Sequence, residues 1–425
     1  MNRVIYLIAL EKVFNNAIFE NQVKKLLVGL KRRKGEHLEL TLLVLLPWIE
    51  LTRRGLYSNF KVYRRELAEL REELAGAGIK LVVSRTMFPS AFFSMKMPGL
   101  FCFSLLTLPV VWYQILVRRA KIVHCRYYYA TFVALLASRL SVNRVKVIFD
   151  VRSLLPEQGI VNNIWKKEDS AFKFWKRVER WMLNRADRVI AVAPAMSDLI
   201  RAQHGQVRVE TIPNFVDSGV FHPDSDLRNA KRRELGLENR IVLLYSGTLG
   251  GRYPSGRMAE CVKLFFASFG RDSFFLILTS SDEKRVEPLA RELTASGLER
   301  GASWQAMEAS AAEVPAYLNA ADWSLLVIAD FLTGETFLPI KFAEYLAVGL
   351  PVLTHPRNKA IAAILKKYRI GAELDAGLSI QELGDSLRRD EARMRENCVA
   401  TARENFSLER FTLRYAEIYS ELTQK

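Results

Sequence analysis

The feature that most restricts what this chain can fold into is an alternation, sustained over most of its length, of short apolar runs with longer amphipathic stretches. Short runs of apolar residues without a polar face are buried on both sides, as in a parallel sheet with helices packed over each face. In the first half the predicted strands are residues 4–9, 40–46, 79–83, 122–125, 145–149, 188–192 and 207–212, and between them lie predicted helices over 19–30, 63–74, 130–139 and 172–185. The second half repeats the scheme with strands over 241–245, 274–278, 323–328 and 352–354. The expected class is therefore α/β, and at 425 residues the chain is too long for one core, which predicts two Rossmann-like, doubly wound domains.

The join is readable at Thr211-Ile212-Pro213-Asn214-Phe215-Val216-Asp217, running on to Phe221-His222-Pro223. Prolines and polar turn formers directly after a strand make a linker. The expected boundaries are 1–213 and 214–407.

Charge divides the two halves sharply. Residues 1–212 hold 35 Lys and Arg against 17 Asp and Glu, whereas 213–425 hold 27 against 29, so the whole net charge of +16 originates in the first half. Clusters such as Lys31-Arg32-Arg33-Lys34 and Arg118-Arg119 suggest an anionic partner there, and an anionic membrane surface would contribute about 1 kcal/mol per cation. Residues 97–117 are apolar and end on Arg118 and Arg119. Pro98 and Pro109 interrupt the run, and Ser104, Thr107 and Gln114 dilute it, which argues against a spanning helix; a buried core helix or a helix lying in the membrane interface are the other readings. Cys102, Cys125, Cys261 and Cys398 have neither metal-site nor disulfide-framework spacing, in keeping with a reducing, cytoplasmic setting.

The richest local chemistry lies at Leu338-Pro339-Ile340-Lys341-Phe342-Ala343-Glu344-Tyr345, ending Val348-Gly349-Leu350-Pro351-Val352. Pro339 suits the first position of a helix of about three turns, and Gly349 with Pro351 suits its stop. Lys341 and Glu344, three apart, share a face near the unpaired N–H groups of the helix start. A diphosphate fits the cation and the N–H donors, and the acceptor-only carboxylate fits a pair of ribose hydroxyls. A solvated Lys and Glu on an amphipathic helix is the plainer reading.

This segment resembles the donor-site helix of retaining GT-B glycosyltransferases of family 4, written Pro-x-Lys-x-x-Glu-Tyr-x-Ala-x-Gly-x-Pro-Val. The junction resembles that family's Ile-Pro-Asn-Gly-Val-Asp, with Phe215 in the glycine position. The resemblance implies two Rossmann-like domains facing each other across a cleft, with a last helix, about 408–425, returning to the first domain. It implies that Glu344 holds the nucleotide ribose and that a second glutamate eight residues earlier meets the donor sugar. Thr336 occupies that earlier position and Glu335 lies one residue off register, so either Glu335 moves in or Thr336 and the backbone amides of Phe337 and Leu338 replace it. The loop Tyr245-Ser246-Gly247-Thr248-Leu249-Gly250-Gly251-Arg252 resembles the family's glycine-rich donor loop, in which Gly247, Gly250 and Gly251 admit the anion closely and Arg252 faces the diphosphate; Thr248 stands where a second cation is often found, and Arg257 is a possible helper. Residues Ser303 to Met307 resemble the loop flanking the base, assigning Trp304 and Met307 to the donor site, with a buried core tryptophan as the competing reading. Asp322 reads as structural.

In the first half the resemblance points to His124 or Arg126, at a strand end, as a polar contact to the donor, and, on the acceptor side, to His124, to Arg152 in an Asp150-Val151-Arg152-Ser153 loop, and to Asn16 in the first loop. Arg152 would meet an acceptor phosphate or else brace the loop by pairing with Asp150; His124 is either a donor contact or structural. The implied function is sugar transfer with retention from a nucleoside diphosphate sugar, with Arg252, Lys341, Glu335 and Arg126 as catalytic candidates. No metal and no cofactor beyond that co-substrate are expected. The expected acceptor is a lipid-linked or surface glycan, as in polysaccharide or lipopolysaccharide assembly, reached by a monomer peripheral to the inner face of the membrane, with no nucleic-acid partner. The rivals are a nucleotide-sugar 2-epimerase of the same fold and a non-catalytic basic protein that binds membrane or nucleic acid.

Overall fold

The structure, a computed structural model, describes residues 2–11, 13–14, 16–47, 58–86, 97–142, 144–329, 338–374 and 380–424. The chain divides into two compact units, Met1–Pro213 with Glu409–Lys425, and Asn214–Leu408.

In the first unit the strands are β1 (Asn2–Ala9), β2 (Leu38–Pro47), β3 (Ile79–Thr86), β4 (Ile122–Arg126), β5 (Lys146–Asp150), β6 (Arg188–Ala191) and β7 (Val209–Thr211). Their order is β3-β2-β1-β4-β5-β6-β7, and every neighbouring pair is parallel. The chain winds outward from β1 in one direction, then returns to β4 on the other side of β1. That reversal opens a crevice at the carboxyl ends of β1 and β4, where sheets of this kind bind ligands. The register places Ile8 beside Arg126 and Arg126 beside Asp150.

The second unit holds β8 (Ile241–Ser246), β9 (Ser273–Leu278), β10 (Trp304–Met307), β11 (Trp323–Leu325), β12 (Val352–Thr354) and β13 (Gly371–Glu373), ordered β10-β9-β8-β11-β12-β13 and again all parallel. Its reversal lies between β8 and β11. Asp322 anchors the unit: its carboxylate accepts from the Val242 N–H and from the guanidinium groups of Arg228 and Arg232. It is a brace and not a reactive group.

Some expectations need correction. β10 and β13 were not among the predicted strands, because three or four residues of mixed polarity carry no periodic signal and only backbone pairing defines them. The predicted strand over 323–328 ends at Leu325. Residues 97–117 form one continuous helix, Met97–Val117, with Pro109 inside it. Its polar residues are satisfied internally, since the Ser104 hydroxyl donates to the Leu100 carbonyl and the Thr107 hydroxyl to that of Phe103. The segment Gly99–Val117 is long and apolar enough to cross a membrane, and a third of its apolar window is buried. Leu100, Phe103, Val111 and Ile115 face inward, while Phe101, Leu105, Leu106, Tyr113 and Val117 are exposed, Leu105 at 77%.

The last helix, Leu408–Thr423, packs within the first unit along nearly its whole length. Arg414 donates to both carboxylate oxygens of Glu210, and Arg188 donates to Glu421.

Candidate active site

At the reversal of the second sheet, β8 runs into a tight loop. Gly247, Gly250 and Gly251 all have positive φ, at 132°, 80° and 59°, a region that favours glycine. The loop is held by the Tyr245 hydroxyl donating to the Thr248 carbonyl (2.6 Å), by the Leu249 N–H donating to Ser281 Oγ (3.0 Å), and by the Tyr253 N–H donating to the Gly250 carbonyl (3.1 Å). The Arg252 carbonyl accepts from the Ala329 N–H, tying the loop to the chain that leaves β11.

Beside this loop begins the helix Ile340–Ala347, eight residues and so about two turns instead of three. Pro339 is its N-cap, with extended backbone, and not its first helical residue; no side chain caps the helix start. The junction residue Asn214 donates from Nδ2 to the Leu338 carbonyl (2.7 Å) and fixes the approach. The Leu338 side chain is buried in the apolar core, leaving only its backbone to meet a ligand. At the far end Gly349 has φ 70° and stops the helix.

Lys341 and Glu344 are not solvated: they are 6% and 8% exposed. The Lys341 ammonium lies between two aromatic rings, 4.1 Å from the Tyr245 centroid and 3.9 Å from that of Tyr253, and has no hydrogen-bond partner among the described residues. Gly247 leaves room beside it, since a Cβ there would stand 2.5 Å from Lys341 Nζ. Burial pulls the Lys341 ammonium down to about 7, with Glu344 acting weakly in the opposite direction. Tyr345, from the same helix, accepts from the Ser246 N–H and locks helix to strand (2.8 Å).

Trp304 is corrected to the competing reading. It is buried in the core, its indole N–H donates to the Leu298 carbonyl, and Arg300 covers its ring, so it presents no face to a base. Met307 is half-buried against the core beside it. Glu335, Thr336 and Phe337 lie outside the described residues.

In the first unit, the carboxyl ends of β1, β4 and β5 gather a buried polar cluster. Leu10, Tyr127 and Arg152, each just past one of these strands, have left-handed backbone at φ 61°, 70° and 56°, strain of a kind that gathers at functional sites. Arg126, 4% exposed, donates from Nε to Glu11 (2.8 Å). Arg152 Nη1 lies 3.6 Å from Asp150 Oδ2, the bracing pair, and its Nη2 reaches Gln22 (3.5 Å). His124 is corrected from a ligand contact to a core residue: it is fully buried, hydrogen-bonds through Nδ1 to the Tyr419 hydroxyl (2.7 Å), and packs against Tyr6 and Tyr415. Burial, helped by Arg126 and Arg152, lowers His124 to about 3, so it is neutral. Asn16 Oδ1 accepts from the Ile18 N–H and is thereby committed to starting the first helix.

Residues 50–219 match the profile of Glycosyltransferase Family 4. HepE of Anabaena, solved in complex with UDP and glucose, shares the fold at a TM-score of 0.65 and 16% identity, over 99% of this chain and 100% of that one. Residues 50–219 are thus similar to this family in sequence, and the chain as a whole is similar to HepE in fold. Sucrose-phosphate synthase from Thermosynechococcus elongatus matches at a TM-score of 0.65 and 14% identity, over 99% of both chains. The N-terminal domain of trehalose-6-phosphate phosphatase from Candida albicans matches at 0.68 and 10% identity, over 100% of this chain and 97% of that one. No curated protein matches the sequence.

Tyr245, Tyr253 and Glu11 were not among the candidates read from the sequence. Glu11 carried a faint signal, an acid directly after an apolar strand. The tyrosines carried none, because an aromatic beside a glycine-rich turn reads as ordinary core.

Proposed function

We propose that this chain is a retaining, metal-independent glycosyltransferase of family 4 that takes a sugar from a nucleoside diphosphate donor and delivers it to a lipid-linked or surface-glycan acceptor at the inner face of a membrane. The observation that carries the donor half is the Lys341 ammonium, buried, without a hydrogen-bond partner among the described residues, at the start of an uncapped helix beside a loop of positive-φ glycines. A buried cation costs free energy until an anion meets it, and a diphosphate at a helix N-terminus is a suitable one. As the bond from sugar to diphosphate breaks, negative charge grows on the leaving oxygen. Lys341, Arg252 and the helix N–H groups would stabilise that charge from fixed positions, which is where most of the rate acceleration would originate.

Glu344 takes the ribose hydroxyls, Glu335, or else Thr336 with the Phe337 and Leu338 amides, takes the sugar, Arg126 reaches the donor, and Arg152 receives the acceptor's anionic group. The UDP and glucose bound in HepE support a donor of this kind. A thermal-shift panel of UDP, GDP, ADP and their sugars tests it: one nucleotide should raise the melting temperature, and Glu344→Ala should abolish that rise. An unchanged rise in the variant would remove the ribose from Glu344.

The membrane half rests on the exposed apolar residues of the helix Met97–Val117, followed immediately by Arg118, Arg119 and Lys121. Co-sedimentation should show binding to anionic vesicles, little to neutral ones, and loss in high salt. Indifference to lipid charge would reject it.

A further inference from the structure

We propose that Tyr245 and Tyr253 are positioning residues of the donor site: together they form an aromatic cage that fixes the Lys341 ammonium through their π faces and leaves its N–H donors available to diphosphate oxygens. This rests on the donor reading above. The geometry is specific. The two centroids lie 4.1 and 3.9 Å from Nζ, within cation–π range, and the rings meet each other edge to face at 68°. Each ring is held in place, Tyr245 by its bond to the Thr248 carbonyl and Tyr253 by its backbone bond to Gly250. Gly247 leaves room beside the ammonium, where any Cβ would stand 2.5 Å from Nζ.

A carboxylate in place of the rings would hold the lysine but would occupy its donors and cancel its charge. Aromatic faces attract the cation without doing either. Among the described residues, the charged and titratable groups around the ammonium are Glu344 and Tyr345 on its own helix, Tyr245 on β8, and Tyr253 with neighbouring Arg252 on the loop. Burial raises both tyrosines, so they stay neutral, and the ammonium loses its proton near pH 7.

The test uses the full chain as wild type, Tyr253→Phe and Tyr253→Leu, titrated with UDP, GDP and ADP at pH 6 and pH 8. Lys341 is followed by its ¹³Cε resonance, assigned by its loss in Lys341→Met. Removing one π face should lower the proton affinity of Lys341 by about one pH unit, which weakens the bound nucleotide about tenfold at pH 8 and only about twofold at pH 6. Tyr253→Leu should show that loss together with a lower titration midpoint, and Tyr253→Phe should keep the wild-type midpoint and affinity. Equal losses at both pH values, or an unmoved midpoint in Tyr253→Leu, would overturn the cage. A midpoint that moves as expected while no nucleotide perturbs Lys341 in the wild type would instead discard the donor reading, and with it the cage's assignment to that site.

Discussion

Replacing Lys341 by methionine should stabilise the second unit while removing nucleotide binding. Methionine keeps the apolar stem against Tyr245 and Tyr253 and deletes only the charge. Burial draws the lysine from its ordinary 10.5 to about 7, so between those pH values the unfolded chain holds a proton that the folded chain has lost. Stability therefore rises with pH across that window, and below pH 7 the folded state carries the whole penalty of a charge in a dry site. At about 1.4 kcal/mol per pH unit the penalty is about 5 kcal/mol, with the attraction of the two aromatic faces already included in the lowered value. About 5 kcal/mol is therefore to be gained at pH 6, or roughly 10–20 °C in the melting temperature of a unit this size.

Calorimetry at pH 6, 7.5, 9 and 10.5 should show that gain shrinking steadily and vanishing at the last value. A variant less stable than its parent at pH 6, or a gain independent of pH, would refute the reasoning, because it would mean that the ammonium has a partner or reaches water. The trade expected is stability against affinity, as for a residue retained for its charge.

Gly247→Ala forces a side chain into left-handed backbone and onto the Lys341 ammonium; it should cost about 1–3 kcal/mol and weaken nucleotide binding at least about tenfold, measured by calorimetric titration. Asp322→Ala strands Arg228 and Arg232 and the Val242 N–H, and should cost about 3–5 kcal/mol in denaturant unfolding, moving the same transition as Lys341→Met in the opposite direction. His124 is held neutral down to about pH 3 against about 6.5 when unfolded, so the unfolded chain binds the extra proton and the first unit should lose stability as pH falls from 6.5 towards 3. His124→Phe should flatten that fall, and an equally steep acid slope in the variant would show that His124 is not its source.

Much of this protein was legible in one dimension. The succession of buried runs and amphipathic stretches is a local property of side-chain hydrophobicity, and it led directly to two parallel sheets. The helix Ile340–Ala347 could be placed because its stop at Gly349 and the proline at its start are decided by backbone sterics within a few residues. The link at Pro213 and Asn214 was readable for the same reason, although nothing local announced that Asn214 would reach across to hold the Leu338 carbonyl. Edge strands such as Gly371–Glu373 were illegible because their only definition is the neighbour they pair with.

What the sequence alone determined, then, is the layering of the fold and which side chains are candidates for its chemistry. Only tertiary packing decided what state those side chains are in. Lys341 loses its proton near pH 7 and has no hydrogen-bond partner among the described residues because Tyr245, Tyr253 and Gly247 arrive from a distant strand and loop to surround it. His124 is a silent core group because Tyr419 comes from the last helix to meet it. Proton affinity and reach depend on the dielectric and the atoms within a few ångströms, and for these residues nearly all of those atoms come from elsewhere in the chain.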